Sequence, residues 1–264
     1  MINPMQIAII KKDFMSMVSN KRLFPVLLIV PLIFTVFVPS IFILTIHFVP
    51  PEDMREFQVL LDMMQVNTQT NTMEHTLTSL ILNNIMPIFF MLIPIMVATV
   101  MAASSFVGEK EKRTLETLLY CPLPLKQIFQ AKVWASFLLS MIISFASFLV
   151  MIIVVETEVL LMSGSLLVPD VSWLIIMLVV SPAVSLLAIT LIVGGSAKAK
   201  TVEESQQRSV FLILPIIFLI VGQLSGVILV SAWYLLVVGA ILAALAFVLM
   251  KKTMRNFTYE SLLK

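Results

Sequence analysis

Eight charged side chains fall between Glu109 and Lys132: Glu109, Lys110, Glu111, Lys112, Arg113, Glu116, Lys126 and Lys132. The chemistry open to such a set is ion pairing and docking. From Glu109 the pattern is helical, with Leu115, Leu118 and Leu119 on one face and the charges around the others. Glu109 and Arg113 stand four apart in the favoured acid-first order, worth ~0.2–0.5 kcal/mol. Pro122 and Pro124 forbid continuation, so this helix is expected to stop near Tyr120. A helix with one leucine face and one mixed-charge face is built to dock. Anionic lipid would call for an excess of bases, and between Glu109 and Tyr120 acids and bases balance. A soluble partner is therefore the reading favoured, with a plain solvated connector as its alternative.

Catalytic chemistry has no comparable footing. The chain holds no His-Glu-x-x-His, no Gly-x-Ser-x-Gly and no aspartate pair. It also lacks the Gly-x-x-x-x-Gly-Lys-Ser/Thr loop that cradles nucleotide phosphates, so any ATP would be bound by another chain. The lone Cys121 excludes an intrachain disulfide and leaves too few thiols for a cysteine metal site. His47 and His75 fall at the outer ends of apolar runs and read as interface residues. No catalytic, cofactor-binding or metal-binding residue is expected, and nothing points to nucleic acid.

The elements that must carry the charged segment are apolar. Of 264 residues, 60% are hydrophobic and 12% charged, and the mean hydropathy is +1.07. A soluble domain carries ~25% charged residues. Uncharged runs at Leu23–Pro51, about Thr76–Gly108, Val133–Val155, Val171–Ala197 and Ser209–Met250 pass the ~18 residues that mark a spanning helix. The last is long enough for two spans that turn near Ser225–Tyr234. The expected fold is an all-α integral membrane protein, a single domain over 1–264. Its six transmembrane helices would lie at about 23–49, 80–107, 133–155, 171–195, 209–228 and 232–250, with a tail at 251–264.

Lys and Arg gather in cytoplasmic segments of membrane proteins. With the N-terminus inside, 16 of the 17 basic residues fall on the cytoplasmic side and only Arg55 lies outside. Glu52, Asp53, Glu56, Asp62, Glu74, Glu156, Glu158 and Asp170 are then external. Both termini are expected in the cytoplasm of a multi-pass cell-membrane protein. Residues 4–22 set Ile7, Ile10, Phe14, Met17 and Val18 opposite Lys11, Lys12 and Asp13, which suits a helix lying at the interface against membrane lipid. A basic flank that merely sets topology is the alternative. Prolines at 31, 39, 87, 94, 182 and 215 are expected to kink their spans. The outer loop, about 50–75, can form a short amphipathic helix over Glu52–Met64. Gly222–Gly226 is a weak Gly-x-x-x-Gly close-approach signal.

Against this background "GEKEKRTLETLLYCPLP" resembles the signature of type-2 ABC transporter permeases, the membrane subunits of exporters. That motif runs acid–basic–acid–x–Gly/Arg–Thr–Leu/Met–Glu–x–Leu–Leu–x–x–Pro. It falls here on Glu109, Glu111, Arg113, Thr114, Leu115, Glu116, Leu118, Leu119 and Pro122. "IIKKDFMSMVSNKRLFPVLLIVPLIF" is similar to the family's N-terminal interfacial helix and first span. "GGSAKAKTVEESQQRSVFLILP" resembles the loop before span five in the sodium-efflux-permease branch. The chain departs from that branch in its short outer loop, so sodium efflux does not follow.

The resemblance implies two permease chains, identical or homologous, paired with two cytoplasmic ABC ATPase subunits that hold ATP and Mg. The helix at 109–120 would be the coupling helix, with Glu109, Glu111, Arg113 and Glu116 making polar contacts and Leu115 and Leu118 anchoring it. The expected function is efflux of a lipophilic or amphipathic substrate. Two rivals stay open on the residues alone. A secondary transporter would call for an ionisable residue at mid-membrane, and none is placed there. A membrane scaffold that recruits a cytoplasmic protein would use the same docking helix.

Overall fold

The computed structural model describes residues 3–21, 23–48, 73–114, 122–164, 169–196, 199, 201–207, 210–224 and 231–256. Among them every regular element is helical. Six helices are long and apolar enough to cross a membrane: Leu23–Phe48, Thr76–Glu111, Leu125–Met162, Val171–Ser196, Val202–Gln223 and Ala232–Arg255. We number them as spans one to six. The expected amphipathic helix over Glu52–Met64 lies outside the described residues, as do Ser225 and Gly226.

The N-terminal helix, Pro4–Val18, starts where its residues say it should. Asn3 is the N-cap, Pro4 follows at the first position, and the Gln6 side chain accepts from the Asn3 N–H at 2.9 Å. That reciprocal capping satisfies donors that a helix start otherwise leaves open. Two residues beyond its end, the Asn20 side chain accepts from Leu23 N–H at 3.1 Å and so begins span one. The buried face of the N-terminal helix is Gln6, Ile9, Asp13 and Met17. Ile10 and Phe14 are partly buried, while Ile7 and Val18 remain exposed. Asp13, expected on the charged face with Lys11 and Lys12, instead turns in, because charged partners await it there.

Spans two and four form the centre. In its most apolar stretch span two is 78% buried, against 17% for span six. Span two packs on spans three and four; span four packs on span six; span one lies outside, against span three. The small side chains Ser136, Ser140 and Ser144 line the inner face of span three and are fully buried. Ser140 Oγ donates to Pro94 O at 2.9 Å and lies 3.2 Å from Ser185 Oγ on span four. Small residues of this kind let membrane helices approach closely and bond across the interface. Gly239 serves the same end on span six, since a Cβ there would lie 3.0 Å from Val179 Cγ1.

Two of the expected proline kinks take a specific form. Span two is α-helical over Met73–Leu80, π-helical over Ile81–Ile85 and α-helical again from Met86, with Pro87 just inside. Span four repeats this: α-helix Val171–Ile175, π-helix Ile176–Val180, then a helix from Ser181 with Pro182 just inside. Proline has no N–H and its ring crowds the preceding turn, so a wider turn ahead of it relieves the clash. In the π register the acceptor deprived by Pro87 is Leu82 O, five residues back. Trp173 Nε1–H donates to that carbonyl at 3.0 Å. The same indole packs against Phe90 and Phe148, with ring centroids 5.8 and 5.5 Å away.

Span three differs from its neighbours. Its helix runs from Leu125 to Ser163, 39 residues with neither Pro nor Gly, and ends on Gly164 in the left-handed region at φ 66. Only glycine takes that conformation without steric cost. At ~1.5 Å per residue the helix is about 58 Å long. Near its far end Ser40 Oγ on span one donates to Glu158 Oε1 at 2.6 Å. Glu156 and Glu158, expected in an outer loop, are therefore part of the helix.

Candidate functional site

Span two does not stop where its apolar run stops. The helix Leu92–Glu111 continues through the first charges, which sets Ser105 and Glu109, four residues apart, on one face. Asp13 faces them from the N-terminal helix and Lys132 from two turns inside span three. Lys132 is the centre of the group, its side chain only 2% exposed. Its ammonium has three donors and four oxygens within reach. Ser105 O lies at 2.6 Å, Glu109 Oε2 at 2.8 Å, Ser105 Oγ at 3.3 Å and Asp13 Oδ2 at 3.4 Å. The approach to Glu109 Oε2 is off the hydrogen-bond direction, so that contact is an ion pair without a hydrogen bond. Ser105 Oγ donates to Asp13 Oδ2 at 2.6 Å. The Phe106 ring lies 5.5 Å from Lys132 Nζ and closes the apolar side.

Lys12 completes the group from the rim, donating to Glu109 Oε1 at 2.5 Å. Two cations then face two carboxylates, and the cluster is neutral. Asp13, Glu109 and Lys132 have lost most of their water, and such a buried set is tolerated only when its members satisfy one another. The Lys12 pKa is held above the ordinary 10.5: burial lowers it, but the hydrogen bond and charge of Glu109, with Asp13 behind them, outweigh that effect. A cleft of about 160 Å³ opens beside the cluster between Lys12, Ser16, Ser104 and Lys112.

The chain leaves span two through a specific turn. Arg113 N–H donates to Lys110 O and Thr114 N–H to Glu109 O, at 3.1 and 2.9 Å, with Arg113 at φ 57 between them. This is the paired closure that commonly ends helices, usually with glycine at the left-handed position. Here arginine occupies it, the one non-glycine residue at positive φ among the described residues. The Gly/Arg alternation of the quoted motif falls on this position, and the backbone supplies a reason for the glycine. At the far end of the connector Leu123 packs with Ile9, Ile128 and Ala131, and just beyond it Gln6 Nε2 donates to Gln127 O at 3.3 Å. Both ends of the connector are thereby tied to the N-terminal helix.

The nine residues singled out in the sequence separate into three groups. Glu109 is buried in the ion cluster. Glu111, Arg113, Thr114 and Pro122 are exposed, and Glu111 Oε2 accepts from Val202 N–H at 3.3 Å, at the start of the short helix Val202–Gln207. Leu115, Glu116, Leu118 and Leu119 lie outside the described residues. Glu109 therefore belongs to the end of span two, separated from the leucines by the turn at Lys112–Thr114. Sequence reasoning did not find Asp13, Ser105 and Lys132 as a unit. The available signal was a lysine eight residues after Pro124, two turns into a helix.

No group of His, Cys, Asp and Glu that could hold a metal ion occurs among the described residues. Comparison with curated proteins and with solved structures finds no match. A family model described as "ABC-2 family transporter protein" does match, over residues 7–234. That range takes in the ion cluster, the connector and five of the six spans. The chain belongs to the ABC-2 family of transporter proteins and is a membrane subunit of an ABC transporter.

Proposed function

We propose that the chain is the permease subunit of an exporter driven by ATP hydrolysis in a separate cytoplasmic ATPase, with both of its own termini in the cytoplasm. Family membership implies association with ATPase subunits; a pair of ATPases and a second permease chain would complete the transporter. The observation that carries the reading is the ion cluster at the root of the 112–124 connector. An ATPase docked on Leu115, Leu118 and the charges around them would pull on Glu109 through one turn of backbone. Glu109 contacts Lys12 on the N-terminal helix and Lys132 on span three. A displacement at the connector is then shared by three elements instead of being absorbed in a loop. ATP acts by binding one conformation of the assembly more tightly than the other. Spans one, five and six expose Phe37, Phe211, Phe218, Trp233 and Phe247. Surfaces of that kind suit a second permease chain and a lipophilic or amphipathic cargo moving between the two.

The test is co-purification from gently solubilised membranes, native chain against a Glu116→Arg, Leu118→Asp double variant. Glu111 is left alone because of its bond to Val202. An ATPase with phosphate-loop motifs is expected with the native chain, with ATP turnover that responds to cargo, and is expected to be lost from the variant. A native chain that brings down no such ATPase would refute the proposal.

A further inference from the structure

A second feature lies at the same level of the fold, away from the ion cluster. A cavity of about 650 Å³, open on one side, is lined by Lys126 from the start of span three and by Lys251, Lys252 and Arg255 from the end of span six. Its remaining described walls are Phe247, Val248 and Met254. Four cations therefore surround the opening, all exposed, and no carboxylate lines it among the described residues. The contrast with the ion cluster is the argument. There the buried Lys132 has its carboxylates; here no carboxylate lines the cavity among the described residues.

We propose that this cavity binds the headgroup of an anionic phospholipid. Phe247 and Val248 sit one helical turn before the cations, on the apolar part of span six, and both are strongly exposed. Ile241 and Leu245 continue that exposed face deeper along the same helix. Charge at the opening with an apolar wall running from it along the span is the layout of a phosphodiester and its acyl chains. A soluble protein would meet the cations but leave the wall uncovered. Basic pockets at the ends of spanning helices recognise anionic headgroups in this way, and long lysine and arginine stems reach from apolar surface to the phosphate level. The assignment rests on the proposed orientation only for which leaflet supplies the lipid.

The test uses the purified full chain in neutral detergent, titrated with phosphatidylglycerol or with phosphatidylcholine of the same acyl chains, bound lipid being counted by native mass spectrometry. Phosphatidylglycerol is expected to be retained at least about tenfold better. Lys251→Gln, Lys252→Gln and Arg255→Gln together should bring the two lipids to parity, with unchanged elution and tryptophan fluorescence. Lys11→Gln, an exposed cation on the N-terminal helix, should leave the preference intact. Equal retention of both lipids by the native chain, or a preference that survives the triple substitution, overturns the proposal. Displacement of the lipid by excess inorganic phosphate would do so too, in favour of a small-anion site. Orientation is read separately, from labelling of Lys252→Cys in a Cys121→Ser background on intact cells. Labelling from outside would refute the orientation and leave the detergent result standing.

Discussion

Replacing Lys132 by methionine removes one buried positive charge and keeps the length of the side chain. The cluster then holds Asp13 and Glu109, with side chains 5% and 11% exposed, against Lys12 alone, which is 54% exposed. Ser105 O also loses its 2.6 Å donor. Breaking a buried pair by removing one partner costs about 3–5 kcal/mol, because the other charge stays in place without compensation. Lys12 is too exposed to make up the difference. Removing the opposing carboxylate as well changes the sum: Lys132→Met with Glu109→Gln leaves one cation and one carboxylate, again neutral. The double variant should therefore be more stable than Lys132→Met alone, with a coupling energy of about 0.5–3 kcal/mol. The assay is unfolding of the purified chain in mixed micelles by increasing SDS, followed by fluorescence of the three tryptophans. If Lys132→Met costs less than about 1 kcal/mol, or if the double variant loses the sum of both single losses, the cluster does not behave as a buried unit and the reasoning fails.

Three further outcomes follow from particular contacts. Arg113→Gly should stabilise the chain by about 0.5–1 kcal/mol net, as relief of the left-handed strain exceeds the entropy glycine adds to the unfolded chain, whereas Arg113→Val should destabilise it; the same SDS titration reads both. Trp173→Phe should cost about 1–3 kcal/mol by leaving Leu82 O unpaired, and the cost should shrink in a Pro87→Ala background, where a backbone donor returns. The raised Lys12 pKa makes its contribution complete below the unfolded value of 10.5 and lost only as pH climbs through the higher folded value. The stability gap between native chain and Lys12→Gln should therefore be flat between about pH 6 and pH 9, and a gap that closes across that window would contradict the ion pair.

The spans were legible because apolar runs of this length have one common use, and spans one and four begin and end close to where hydropathy puts them, while span six runs on through Lys251 and Lys252. Span two extends further than expected at its charged end for a physical reason. Hydropathy stops at the first charge, but a helix does not, and Glu109 to Glu111 are good helix formers. Lys132 read as a loop charge because nothing nearby in sequence could neutralise it. Its partners are 119 residues away at Asp13 and 27 away at Ser105. Asp13 was placed on the outward face of its helix for the same reason: amphipathicity assigns charge to solvent unless a buried counter-charge exists. Pro87 and Pro182 marked where backbone regularity fails but not how, since the carbonyl freed beside Pro87 is met by Trp173, 91 residues away, while span one stays helical across Pro31 and Pro39. The left-handed Arg113 left no mark in the chain itself, where glycine would have been the readable residue.

Span three has one more consequence. It alone among the six carries neither a proline nor a glycine, so it is the stiffest member of the set, and it outreaches a hydrocarbon layer about 30 Å thick. One end holds Lys132 in the ion cluster, and the other holds Glu158 against Ser40. Such a helix behaves as a lever with its fulcrum within the membrane. A tilt of about 5° around the midpoint of its roughly 58 Å moves each tip by about 2.5 Å, in opposite directions. That displacement is comparable to the length of a hydrogen bond. A slight rocking at one membrane surface is therefore enough to make or break a polar contact at the other.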